Sequence, residues 1–305
     1  MIDCLYNLLY YNNPCYKSVF GYSFKFWKGV ESNLAVVNLG SNTGLYGFRY
    51  DGLPIKAANW ALGPQSLNQD LMILKTYSSY IRPSGTVLVP LCPYSSCLKS
   101  YTDLEWLKYY TIVHPELMEN FSFEQQKLAY SWKDRPFRVA LRPMLRGCVQ
   151  AIKQRLKGVK NGLDLDSQQF SAEDLERDAQ GFIDGWKRQF KIDDMDAPLP
   201  LHIKEGREKR VETLTELIRF CNDREFRLFV VLPPVTSALS MRLSATFREN
   251  YIYSFVRECG VTDDMLLDYL DCPDFNDPAL FINSLFLNKR GGHLFTSRVL
   301  KDVGF

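Results

Sequence analysis

Five short apolar runs, set between segments of helical length, constrain the fold of this chain more than any other feature. The clearest is Phe226-Arg-Leu-Phe-Val-Val-Leu232, stopped by Pro233-Pro234. Leu34-Ala-Val-Val-Asn-Leu39 and Thr86-Val-Leu-Val-Pro-Leu91 read the same way, while Ile55–Asn59 and Met265–Tyr269 are weaker. Continuous apolar runs suit strands covered on both faces, the environment of a parallel sheet. Helical spacing predicts helices over Leu67–Ile81, 211–221, Arg242–Gly260 and Leu287–Lys301, the first closed by Arg82-Pro83-Ser84-Gly85. A short amphipathic helix is expected within residues 16–30. Strands alternating with helices predict an α/β chain with a doubly wound parallel sheet. Ligands of such sheets sit outside the carboxyl ends of the strands, where Gly40-Ser41, Pro90–Ser95 and Pro233–Thr236 fall.

Residues 100–200 interrupt the alternation and read as a helical insertion within a single domain over 1–305. From Lys133 to Lys160 nine cations face one acid, Asp134, and Asn161–Pro198 then carries ten acids. Arg138, Arg142 and Arg146 recur every four residues beside an apolar stripe of Val149, Ile152, Leu156 and Val159, with Pro143 expected to kink or end a helix. Such a helix suits an anionic membrane surface or an acidic glycan, whereas the adjoining acids offer a simple internal charge match. The net charge of +2 argues against nucleic acid as a partner.

Eight scattered cysteines and three histidines, His114, His202 and His293, show no metal-ligand spacing, so neither a metal nor a cofactor is expected. The amino terminus shows no signal peptide, and no run is long and apolar enough to cross a membrane. A cytoplasmic protein with reduced thiols is the expectation, with association to a membrane surface left open.

The loop Gly40-Ser-Asn-Thr-Gly44-Leu-Tyr-Gly47 follows the first run. A phosphate cradle is one reading, but the chain lacks the Gly-Lys-Ser/Thr ending, the dinucleotide-type glycine spacing and the later acid. A second reading makes Ser41 a nucleophile whose own N–H helps to hold an oxyanion. The third is that Ser41 only caps a helix or a turn.

Further blocks bear on that choice. Gly40-Ser41-Asn42, then Asn59-Trp-Ala-Leu-Gly63-Pro-Gln-Ser66, and finally Leu287-Asn288, Gly291 and Phe295-Thr296 stand in order along the chain. In this order they resemble the SGNH (GDSL-like) hydrolase superfamily, especially its cell-envelope esterases and O-acetyltransferases. The resemblance covers roughly residues 34–97 and 226–305. It implies a three-layer, flavodoxin-like sheet of SGNH type, with Ser41 as nucleophile and Gly63 as an oxyanion donor. It also implies Asn42, Asn59, Ser95 and Thr236 as substrate contacts, and an acylated polysaccharide or its carbohydrate precursor as ligand.

The same alignment places Phe286 where the family keeps its histidine base and Asn283 where it keeps the orienting acid. Phenylalanine accepts no proton, and asparagine does not stabilise an imidazolium as a carboxylate does. The family's further oxyanion asparagine has no counterpart in Pro90–Ser95. Substitute bases are His202 and His293; Cys92 stands at a strand end as another option. Two functions follow: a serine esterase or O-acyltransferase with an unidentified base, or a lapsed relative that binds an acylated sugar or a partner enzyme in surface-polysaccharide assembly.

Overall fold

The computed structural model describes residues 10–97, 103–156 and 171–305. Five strands form one sheet: β1 (Leu34–Asn38), β2 (Ala57–Asn59), β3 (Ile81–Pro90), β4 (Arg227–Leu232) and β5 (Leu266–Asp268). All neighbours are parallel, in the order β2-β1-β3-β4-β5. The order reverses between β1 and β3, and that is where an open parallel sheet opens a crevice at its carboxyl edge.

Each strand alternates its side chains between two apolar layers. Val37, Val87, Val89, Val230 and Leu232 face a large cluster, whereas Val36, Leu88 and Val231 face a smaller one. The smaller layer is built on α9 (Lys289–Asp302), whose Phe295 and Val299 are fully buried. The larger layer holds α3 (Leu67–Tyr77) and α8 (Leu201–Asp223). Helices therefore cover both faces, as uninterrupted apolar strands require.

Among the described residues between β3 and β4 lie α4 (Asp103–Tyr109), α5 (Phe123–Asp134), α6 (Leu141–Leu156) and α7 (Ala172–Phe190). Tyr109, Ala129, Met144, Ala179 and Trp186 lie in the same apolar cluster as the sheet. Before the sheet come α1 (Pro14–Phe20) and a helical turn at Phe24–Trp27, two short pieces overlapping the 16–30 region where one helix was expected. Pro143 kinks nothing: the backbone breaks at Ala140, and the proline sits in the first turn of α6, where no N–H partner is lost.

Three boundaries differ from the sequence expectation. The first predicted helix stops at Tyr77, and Arg82–Gly85 lies inside β3 rather than in a terminator. The predicted helix over 242–260 runs without a break from Ala245 to Glu258, but its middle, Arg248–Tyr253, is π-helical. The helix expected at 211–221 begins ten residues earlier, so His202 lies in its first turn rather than ahead of it. Among the described residues no helix is long and apolar enough to cross a membrane.

Candidate active site

Gly40, two residues past β1, has φ +103°, and its N–H donates to Asp70 Oδ1 at 2.7 Å. A Cβ there would lie 3.2 Å from the Pro90 ring, and the positive φ also favours glycine. The turn sets Ser41 at the N-cap of α2 (Asn42–Gly47). Its carbonyl accepts from Leu45 N, but its hydroxyl does not cap the helix. The hydroxyl oxygen instead accepts the Gln65 N–H at 3.1 Å, from the loop after β2. Simple capping therefore does not account for the Ser41 side chain.

Gln65 links this serine to a carboxyl group. Its amide Nε2 donates to Asp70 Oδ1 at 2.5 Å, and its Oε1 accepts from the Tyr109 hydroxyl at 3.3 Å. Asp70, on the first turn of α3, is buried, and burial pushes its carboxyl up to about 7 against the pull of the Gly40 and Gln65 donors. Its Oδ2 has no hydrogen-bond partner among the described residues.

Ser41, Gln65 and Asp70 line one cavity of about 390 Å³ at the β1/β3 switch. Leu67, Pro90 and Leu91 give it an apolar wall, Trp106 an indole ring, and Asn68 and Thr213 hydrogen-bonding groups. Lys209 and Glu119 also line it and pair with each other at 2.8 Å. Cys92 faces the same space, but burial raises its thiol pKa, which leaves it protonated and a poor nucleophile.

The loop of the implied oxyanion glycine is pinned by two ammonium groups. Lys108 Nζ donates to the Gly63 and Pro64 carbonyls at 3.1 and 3.0 Å, and Lys25 Nζ to the Ala61 carbonyl at 2.6 Å. Burial, then the charge of Lys108, lowers Lys25 to about 7. A Cβ on Gly63 would fall 1.7 Å from Asn42 Oδ1, so the Asn42 carboxamide occupies the space a side chain would need. Neither Gly63 nor Asn42 lines the cavity.

The remaining sequence candidates separate clearly. Ser95 lines the cavity, with its hydroxyl oxygen accepting the Cys92 N–H at 2.9 Å. Asn59 is not placed to bind a ligand: Nδ2 donates to the Gly44 and Phe48 carbonyls, while Oδ1 accepts from Asn38 Nδ2 and Ala61 N–H. Its hydrogen-bonding capacity is spent on joining β1, β2 and α2. Thr236 is buried, accepts the Leu239 N–H and donates to the Ser284 carbonyl at 3.2 Å, away from the cavity lining.

Asn283 Oδ1 accepts the N–H groups of Leu285 and Phe286 at 3.0 and 2.8 Å, a local turn rather than an orienting contact. The Phe286 ring packs 5.4 Å from that of Tyr46 and 6.4 Å from that of Phe182. Tyr46 lies on α2, so the loop returns to the helix that Ser41 opens, but Phe286 does not line the cavity. Neither substitute base reaches the cavity either. His202 Nε2 bonds the Phe190 carbonyl at 2.7 Å, and His293 Nε2 lies 3.1 Å from Asp51 Oδ2. His114 is exposed at the start of a 3-10 turn.

Gln65 and Asp70 were missed by sequence reasoning, although a signal exists. Asp70 falls on the apolar face of its helix, between Leu67, Leu71 and Leu74, where an unpaired charge is out of place. Among the described residues no group of His, Cys, Asp and Glu side chains could hold a metal ion. No protein-family model and no curated protein matches this chain.

Proposed function

We propose that the chain is an SGNH-type α/β protein whose Ser41 cavity binds an acylated carbohydrate without hydrolysing it. The observation that carries this reading is the absence of an imidazole from the cavity. All three histidines of the chain lie in described segments and none lines it, while the family's base position is an aromatic ring held by Tyr46 and Phe182. A serine hydroxyl without a positioned base is a hydrogen-bonding group, not a nucleophile.

The lining suits such a ligand. Ser41, Gln65, Asn68 and Thr213 offer donors and acceptors for sugar hydroxyls, Trp106 a face for a sugar ring, and Leu67 and Leu91 a wall for a short acyl chain. The test is an amide-shift titration with an O-acetylated chito-oligosaccharide and its de-O-acetylated form. The acetylated sugar is expected to move the Ser41, Gln65 and Asn68 amides more than the free one does, with no acetate released. Unmoved cavity amides at millimolar sugar would refute carbohydrate binding here.

A second reading rests on Asp70. A carboxyl pushed up to about 7 in the same cavity has the basicity to accept a proton from Ser41 through a water. In that case Ser41 would attack an acyl carbon, and the chain would be a slow esterase or O-acyltransferase.

A further inference from the structure

Helix α6 has two apolar faces, of which only one is covered. Met144, Gly147, Cys148 and Ala151 are buried. Asn13, the N-cap of α1, donates to the Met144 carbonyl at 2.9 Å, and a Cβ on Gly147 would fall 2.0 Å from its Oδ1. The adjoining face carries Leu141, Leu145, Val149, Ile152 and Leu156, all between 42% and 82% exposed. At about 100° per residue these five fall within roughly 80° of arc, along a helix about 24 Å long. Arg142, Arg146 and Lys153 occupy the next 40° or so of the wheel. All three are exposed and make no ion pair among the described residues.

Four of the five acids of α7 are engaged elsewhere, Asp184 by accepting from Gln180 Nε2 at 2.9 Å. Asp174 pairs with Arg177 and Glu176 with Arg242, and Asp178 accepts the Ser284 N–H. The internal charge match expected from the sequence is thus not made between α6 and these residues. We propose that this face of α6 docks the protein onto an anionic lipid surface, the five aliphatic side chains entering the headgroup boundary and the three cations meeting lipid phosphates and carboxylates. Two features favour lipid over a protein partner. The stripe contains no aromatic side chain, whereas protein interfaces are enriched in them. The helix also contains no acid, so its charge complements a uniformly negative surface.

The experiment is co-flotation of the full chain with phosphatidylcholine vesicles and with vesicles that also contain phosphatidylserine. Binding is expected only to the second, and to weaken as salt is raised. Leu145→Asp with Ile152→Asp should abolish it. Replacing Arg142, Arg146 and Lys153 by glutamine should lower the partition coefficient about fivefold per charge, about 100-fold in all at low salt. All five positions are solvent-exposed, so circular dichroism should show both variants folded. Equal binding to both vesicles, binding to neither, or a Leu145/Ile152 variant that loses a dimer while keeping lipid binding would overturn the proposal.

Discussion

Gly291→Ala is expected to destabilise the folded chain by about 3 kcal/mol or more, at the upper end of overpacking costs. Gly291 is buried in the first turn of α9, where its N–H is held by the Asn288 carboxamide at 2.9 Å. A Cβ at this position would lie 2.1 Å from the Leu280 carbonyl oxygen and 2.9 Å from Leu287 Cδ2. The first obstacle is backbone, and it cannot rotate away, because the Leu280 carbonyl also accepts the Asn288 N–H at 2.9 Å. Accommodating a methyl means lifting α9 off the Phe281–Leu287 bridge and so opening the layer around Phe295. Gly181→Ala, on the exposed side of α7, is the control: nothing lies within 4 Å of its Cβ, so a gain of about 0.5–1 kcal/mol is expected from helix propensity. Urea unfolding of the two variants reads both effects. A Gly291→Ala chain as stable as wild type would mean that the tail does not pack as described.

Asp70→Asn is expected to stabilise the chain increasingly as pH rises. Burial moves the Asp70 carboxyl from the ordinary value of 3.8 up to about 7 in the folded state. Between these values the folded chain keeps a proton that the unfolded chain has released, so raising the pH through this window favours unfolding. Below it both states are protonated, and the penalty vanishes. Three pH units correspond to up to about 4 kcal/mol, fully developed above pH 7. Asparagine keeps an Oδ1 for the Gly40 and Gln65 donors but cannot ionise. The stability difference between Asp70→Asn and wild type should therefore climb between pH 4 and 7 and level off above. A flat difference would mean that Asp70 is ionised and solvated, and would remove it as a proton acceptor as well.

Much of the sheet was readable because buried parallel strands announce themselves as apolar runs. All five expected strands are present, and the cavity lined by Ser41 opens at the carboxyl ends of β1 and β3. The tail residues singled out in the sequence hold structural positions. Leu287 and Phe295 are core residues, Asn288 caps α9, and Thr296 accepts the Arg49 N–H at 2.7 Å. These residues thus have structural work here, whereas Asn283 and Phe286 make only a turn and an aromatic contact.

What sequence alone left hidden depends on contacts between distant segments. Asn59 resembles a ligand contact until its five-partner role in joining β1, β2 and α2 is visible. Asp70 stands out in the sequence as a carboxyl on an apolar helix face, but its partners Gly40 and Gln65 are brought to it only by the fold. The bare stripe on α6 could not be told from a core face, because burial by α1 covers only one of its two apolar arcs.

Ser41 lines the cavity with no histidine beside it, and the proposed binding role requires that its hydroxyl be unactivated. Intact mass after exposure to a fluorophosphonate, at a pH above the Asp70 titration where any carboxylate base is ionised, examines this most directly. Wild type is expected to gain no more adduct than Ser41→Ala. One phosphonyl group per chain, mapped to Ser41, would show an activated nucleophile and put the esterase reading in place of the binding one.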